Sequence, residues 1–106
     1  MNDRDFAELA ALYLSVPGTL LGTLSVDLQK REIQCFVRSW SNASFPKHRH
    51  FGDEEIVILE GDLNIGDRSY QPGDRITSVP GTVHQPKTDR GCLLFLRTSL
   101  DDELLA

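Results

Sequence analysis

The chain has 106 residues, 40% of them hydrophobic and 25% charged, with a net charge of −5 and a pI near 5.0. That is enough for one domain around one core, with no room for a separate effector domain. The acidic balance and the lack of any basic stripe exclude nucleic acid as the expected partner, and no apolar run approaches the roughly 18 residues of a membrane span.

The first segment carries Asp3, Arg4 and Asp5 rather than a basic stretch before an apolar one, so no secretion signal is read and a cytoplasmic location is expected. Phe6, Leu9, Ala10, Tyr13 and Leu14 recur at intervals of three and four, which predicts a helix over 4–14. Asn2 or Asp3 caps its start and Pro17-Gly18 ends it. Its single apolar stripe needs cover from the domain or from a second subunit, and a homodimer is the expected assembly.

Beyond Pro17 the pattern changes to short strands divided by turns. Leu20 to Leu28 is one, and Glu32 to Trp40 another, with Ile33, Cys35 and Val37 on one face and Phe36 and Trp40 on the other. Phe45 to Phe51 follows. Glu55 to Leu59 is nearly continuous apolar sequence, the pattern of a strand buried on both sides. Leu63 to Ile65 and Arg68 to Tyr70 flank a Gly66-Asp67 hairpin turn. Pro72-Gly73-Asp74 turns the chain again before Arg75 to Val79, Thr82 to Gln85 and Cys92 to Thr98. About eight short strands at this spacing predict an antiparallel sandwich or barrel. The expected division is a helical extension over 1–17, a barrel over 18–100 and a short acidic tail over 101–106 that frays.

Cys35 and Cys92 lie in different predicted strands and belong to no Cys-x-x-Cys pair, so they read as two small buried apolar residues rather than a zinc ribbon or a redox pair.

All three histidines of the chain, His48, His50 and His84, stand at metal-ligand spacing. Residues two apart on a strand share a face, so His48 and His50 project together while Arg49 points away. Phe51-Gly52-Asp53 makes a short turn that returns Glu54 toward the same centre, and Pro80-Gly81 shapes the lead-in to His84 from a neighbouring strand. Three imidazoles and a carboxylate suit Fe(II), Mn(II), Ni(II), Co(II), Cu(II) or Zn(II), and they would leave two octahedral positions open.

These residues resemble the two motifs of the cupin superfamily. His48, His50, Glu54 and Gly61 stand at the spacings of the first, with Asn42 in place of its opening glycine; Asn tolerates the same left-handed conformation. Gly73, Pro80, Gly81 and His84 follow the second, although Pro and Gly are adjacent and Thr88 stands where an Asn often closes the motif. Phe45-Pro46-Lys47-His48-Arg49-His50, the Glu54-Glu55 doublet, Tyr70 with Gly73, Pro80 to Pro86 and Gly91-Cys92 are similar to the ChrR-like branch over roughly residues 18–98. That branch includes the C-terminal domain of ChrR-type anti-sigma factors and small acetylacetone-cleaving dioxygenases. The resemblance implies an all-β, single-domain jelly-roll barrel behind the N-terminal helix.

The expected function is that of a metal-binding cupin of undefined activity, and the resemblance implies two forms of it. One is an Fe(II)-dependent dioxygenase acting on a small diketone or carboxylate. In such enzymes three histidines are the expected ligands, which leaves Glu54 either a ligand or a neighbour of one. Trp40, Tyr70 and Phe95 are then candidate pocket walls. The other is a zinc-binding sensor of a small molecule or stress, with all four donors engaged and Cys92 as a redox reporter. No Arg/Lys cluster supports a phosphosugar ligand. ChrR proteins carry a helical zinc domain before the barrel, and no Cys or His occurs in residues 1–17 here, so the expectation is a sensing half without that domain.

Overall fold

The computed structural model describes residues 19–45 and 47–104. The helix predicted over 4–14 lies outside them. The described chain forms twelve strands: β1 Leu20–Asp27, β2 Glu32–Ser39, β3 Ala43–Ser44, β4 His48–Arg49, β5 Glu54–Gly61, β6 Leu63–Ile65, β7 Arg68–Tyr70, β8 Arg75–Ser78, β9 Val83–His84, β10 Lys87–Thr88, β11 Cys92–Ser99 and β12 Glu103–Leu104. They build a five-stranded sheet in the order β1-β2-β11-β5-β8, a four-stranded sheet β3-β10-β6-β7 and a three-stranded sheet β12-β4-β9. Every pairing is antiparallel.

The core is a direct product of period-two patterning. On β2 the inward residues are Ile33, Cys35 and Val37, and all three are fully buried. Register sets Cys35 beside Leu96, Leu96 beside Ile56 and Ile56 beside Ile76, one apolar row across four strands. Val37, Leu94 and Ile58 form the next row. Burying side chains of this size stabilises by roughly 1.5–3 kcal/mol each, which makes these rows the main support of the barrel.

β5 departs from expectation. Its pattern alternates instead of being buried on both sides: Glu54, Ile56 and Ile58 face in, while Val57 is half-buried and Leu59 is 41% exposed. The outer side of this sheet is open, so an apolar run in the sequence does not mean two covered faces here. The tail departs too. Leu100 is buried, and Glu103 and Leu104 pair with Arg49 and His48. Arg31 holds the segment with a bidentate grip on Asp101 and with its carbonyl, which accepts the Leu100 N–H. The two-residue strands β3 and β10 were not predicted, since two residues carry no period.

Asn42 has φ of 61°, the left-handed conformation expected where the motif has glycine. Asp62 is buried and fixes the turn after β10. It accepts hydrogen bonds from the Thr88 hydroxyl (2.9 Å), the Arg90 N–H (3.0 Å), the Asp89 N–H (3.3 Å) and the Asn64 amide (3.2 Å). Burial opposes the charge, but these donors outweigh it and hold the Asp62 carboxyl below its ordinary value.

Candidate metal centre

β4 and β9 run antiparallel with His48 directly beside His84. The Pro80-Gly81 turn is tied to the His50 backbone: the His50 N–H donates to the Thr82 carbonyl at 2.9 Å, and the Gly81 N–H donates to the His50 carbonyl at 2.8 Å. Gly81 takes φ of 88° there, a conformation that favours glycine. This stitching places β9 against the histidine pair. Glu54 enters from a different sheet as the first inward residue of β5, level with Ser78.

The four side chains converge. His48, His50 and Glu54 are buried, His84 nearly so, and their ligand atoms all lie within 4.8 Å of one another. His50 Nε2 is 2.7 Å from His84 Nε2 and 3.2 Å from Glu54 Oε1, while His84 Nε2 is 3.5 Å from the same oxygen. The three imidazole rings stand nearly at right angles to each other, with centroids 4.4–4.9 Å apart. Arg49 points out to solvent, as the alternation requires.

A divalent metal fits this arrangement. Metal–nitrogen and metal–oxygen bonds of about 2.1 Å put neighbouring octahedral donors about 3 Å apart, and the observed separations bracket that value. A hydrogen-bond network explains the group less well: Glu54 Oε1 is buried and faces two imidazole nitrogens, yet accepts no well-formed hydrogen bond. A buried anionic oxygen without a donor is costly; a cation between it and the imidazoles satisfies all of them at once.

One partner of the site was not read from the sequence. Asp102, in the tail expected to fray, packs against the back of His50. Its Oδ2 lies 3.3 Å from His50 Nδ1, within ion-pair reach although not aligned as a straight hydrogen bond. No spacing rule singles out one Asp in an acidic tail, so only the fold could reveal it.

Charge follows the contacts. For His50, burial opposes the imidazolium, but the neighbouring Asp102 carboxylate and the charge of Glu54 outweigh it and raise its pKa above the ordinary value. For Asp102, burial is outweighed by His50, the Phe51 N–H and the Thr98 hydroxyl, and its pKa is lowered. A raised histidine contributes stability fully present below its unfolded value of about 6.5 and lost as pH rises through the folded value. Depressed carboxylates such as Asp62 and Asp102 contribute stability present above about pH 3.9 and lost as pH falls through their folded values. Metal-free protein is therefore expected to be most stable between about pH 4 and 6.5. Thermal unfolding in chelator across pH 3–9 checks this, and stability still climbing from pH 6.5 to 8 would contradict it.

Two clefts border the histidine strands. One of about 440 Å³ is lined by His84 with Asn64, Ile65, Val83, Gln85 and Lys87. The other, about 250 Å³, is lined by His50 with Arg49, Phe51, Gly81 and Asp101. The aromatic residues read as pocket walls line neither. Trp40 is 69% exposed. Phe95 shares its face with Phe36, the two rings edge-to-face at 6.0 Å on the outside of the five-stranded sheet, because Phe95 alternates against inward Leu94 and Leu96. Tyr70 packs against the core from β7. Cys35 and Cys92 are buried and unbridged; burial pushes their thiols up to about 12 and about 11. Both stay protonated at neutral pH and are poor nucleophiles, which removes support for Cys92 as a redox reporter.

No helix among the described residues is long and apolar enough to cross a membrane. Among known proteins, the sequence profile of the ChrR cupin-like domain matches residues 5–100. No curated protein sequence matches the chain. Solved structures of the same fold include an acetylacetone dioxygenase from Acinetobacter johnsonii, with a TM-score of 0.74 at 13% identity over 79% of this chain and 62% of that one. The anti-sigma ChrR of Rhodobacter sphaeroides, solved with SigE, gives 0.68 at 20% identity over 77% of this chain and 44% of that one. A cupin-like protein of Thermotoga maritima gives 0.75 at 17% identity over 86% and 79%. This chain thus spans under two thirds of the dioxygenase chain and under half of the ChrR complex chain.

Proposed function

From the premise that the chain belongs to the ChrR cupin-like family, we propose that it binds one divalent transition metal ion through His48, His50, His84 and Glu54, and presents that ion to a small molecule. The carrying observation is the buried convergence of three imidazoles on a carboxylate oxygen that has no other donor. His48 and His84 hold adjacent positions from paired strands, His50 brings a third nitrogen, and Glu54 supplies negative charge from across the barrel. When bound, such an ion acts as a Lewis acid and a template for a chelating ligand. The cleft over His84 supports ligand access from the β6–β10 side, and Asn64, Gln85 and Lys87 there suit a small oxygen-rich molecule, a diketone or a carboxylate.

An Fe(II)-dependent dioxygenase is the catalytic form of this reading, supported by the open cleft and by the fold shared with acetylacetone dioxygenase. The alternative is a zinc-holding sensor without turnover, and the specific observation in its favour is that Glu54 stands close enough to make a fourth protein donor, since closed sites are structural or sensory. A cytoplasmic homodimer belongs to the same proposal; Leu20, Leu24, Phe36 and Leu59 are exposed apolar surface for a partner copy.

Metal analysis by mass spectrometry, on protein purified anaerobically without a nickel column, tests the proposal. Near-stoichiometric iron, followed by oxygen uptake with small diketones or carboxylates, supports the enzyme. Stoichiometric zinc without uptake supports the sensor. Protein that carries no metal and takes up none on titration refutes both.

A further inference from the structure

Asp102 is bonded as a component of the centre rather than as a residue of a loose tail. Its side chain is 3% exposed. Both oxygens are engaged: Oδ1 accepts the Phe51 N–H at 3.0 Å, and Oδ2 accepts the Thr98 hydroxyl at 2.8 Å and faces His50 Nδ1 at 3.3 Å. The carboxylate is thus anchored from β11 on one side and from the chain just after His50 on the other. The segment that delivers it is fixed at three further points. The Leu100 N–H donates to the Arg31 carbonyl, Arg31 grips Asp101, and β12 pairs with the strand that carries His48.

A capping role alone would need only Oδ1 on the Phe51 N–H. The second oxygen is aimed at the ring of His50, on the side opposite its Nε2, and Nε2 is the atom that faces His84 and Glu54. A carboxylate can only accept, so this contact favours the form of His50 with its proton on Nδ1. That leaves the lone pair of the neutral ring on Nε2, directed into the cluster. Carboxylates behind metal-bound imidazoles fix both tautomer and orientation in this way.

We infer that Asp102 is the positioning residue of the centre: it holds His50 as the Nδ1–H tautomer with Nε2 presented to the metal, and so couples metal affinity to the docking of the 100–104 segment. The inference rests on the proposed metal reading. Asp102 is not itself one of the four converging donors.

The test uses the full chain and zinc or cobalt alone. D102N keeps an oxygen acceptor and the volume but removes the charge, and it is expected to bind Co(II) about 10–100-fold more weakly in competition with a chelator. Long-range ¹H–¹⁵N spectra of the zinc-loaded unsubstituted chain need no variant: they should show His50 protonated at Nδ1 and bound at Nε2. The Co(II) visible spectrum of D102N should shift, which a purely structural role would not cause. D102N affinity within threefold of the unsubstituted chain, or His50 bound through Nδ1, overturns this inference while leaving the metal reading intact. Unsubstituted protein that takes up neither ion overturns both.

Discussion

His48→Ala and His84→Ala are each expected to purify with little bound metal and to lower affinity by at least about 100-fold, because even outer partners of metal ligands are worth about 10–100-fold. Each substitution removes one of four convergent donors. The remaining three cannot close the gap, since the β4–β9 register fixes the remaining strand histidine in place and β5 fixes Glu54. Lys47→Ala is the control: Lys47 is exposed beside His48 and contributes no ligand atom, so its metal content stays that of the unsubstituted chain. Metal content by mass spectrometry and a chelator competition read the effect, and thermal unfolding in chelator confirms that each variant is folded. Full metal in both histidine variants would sink the site assignment. Glu54→Gln, compared with the two histidine variants, separates the readings of Glu54. With three imidazoles as the main ligands, Glu54→Gln retains substantial metal; with four donors engaged, it loses as much as the histidine variants.

What the sequence made legible is what has a period or a spacing. Ile33, Cys35 and Val37 alternate, and they are buried as a row. His48 and His50 are two apart, and both face in. Asn42 holds the left-handed position of a motif glycine, and its φ is 61°. What stayed hidden depends on contacts distant in sequence. Asp102 reaches His50 across 52 positions, and nothing local distinguishes it from Asp101. β3 and β10 exist because Lys87 and Thr88 pair with Ser44 and Ala43, more than 40 residues away in sequence, not because two residues prefer a strand. Trp40 and Phe95 read as pocket walls through size alone, and their parity puts them on the sheet's outer side. Hydrophobicity says that a side chain seeks cover; only register says which face has it.

Gly61→Ala is expected to be the most damaging glycine-to-alanine change among the described residues. Gly61 closes β5 with φ of 78°, and a Cβ built on it would stand 1.8 Å from the Gly91 carbonyl oxygen, 2.8 Å from the Gly91 carbonyl carbon and 2.9 Å from Cys92 Cα. All three are backbone atoms, so no side chain can swing aside. The same carbonyl accepts the Asp62 N–H at 3.2 Å, and Cys92 is the register partner of Gly61 at the start of the β5–β11 ladder. Relief would therefore have to open the ladder at its end or displace the loop that Asp62 pins. The left-handed conformation alone costs a non-glycine residue about 1–2 kcal/mol, and the steric overlap brings the total above about 4 kcal/mol, a large share of the 5–15 kcal/mol that holds an ordinary domain together. Gly66 separates the two contributions. It also has positive φ, at 61°, but a Cβ there meets nothing within 4 Å, so Gly66→Ala should lose only the conformational part, about 1–2 kcal/mol. Urea unfolding of the pair reads the difference, with Gly61→Ala either insoluble or melting at far lower denaturant. Equal midpoints for the two variants would mean that the β5–β11 junction yields easily, and then the position of Glu54 at the other end of β5 could not be as firmly held as the geometry of the metal centre requires.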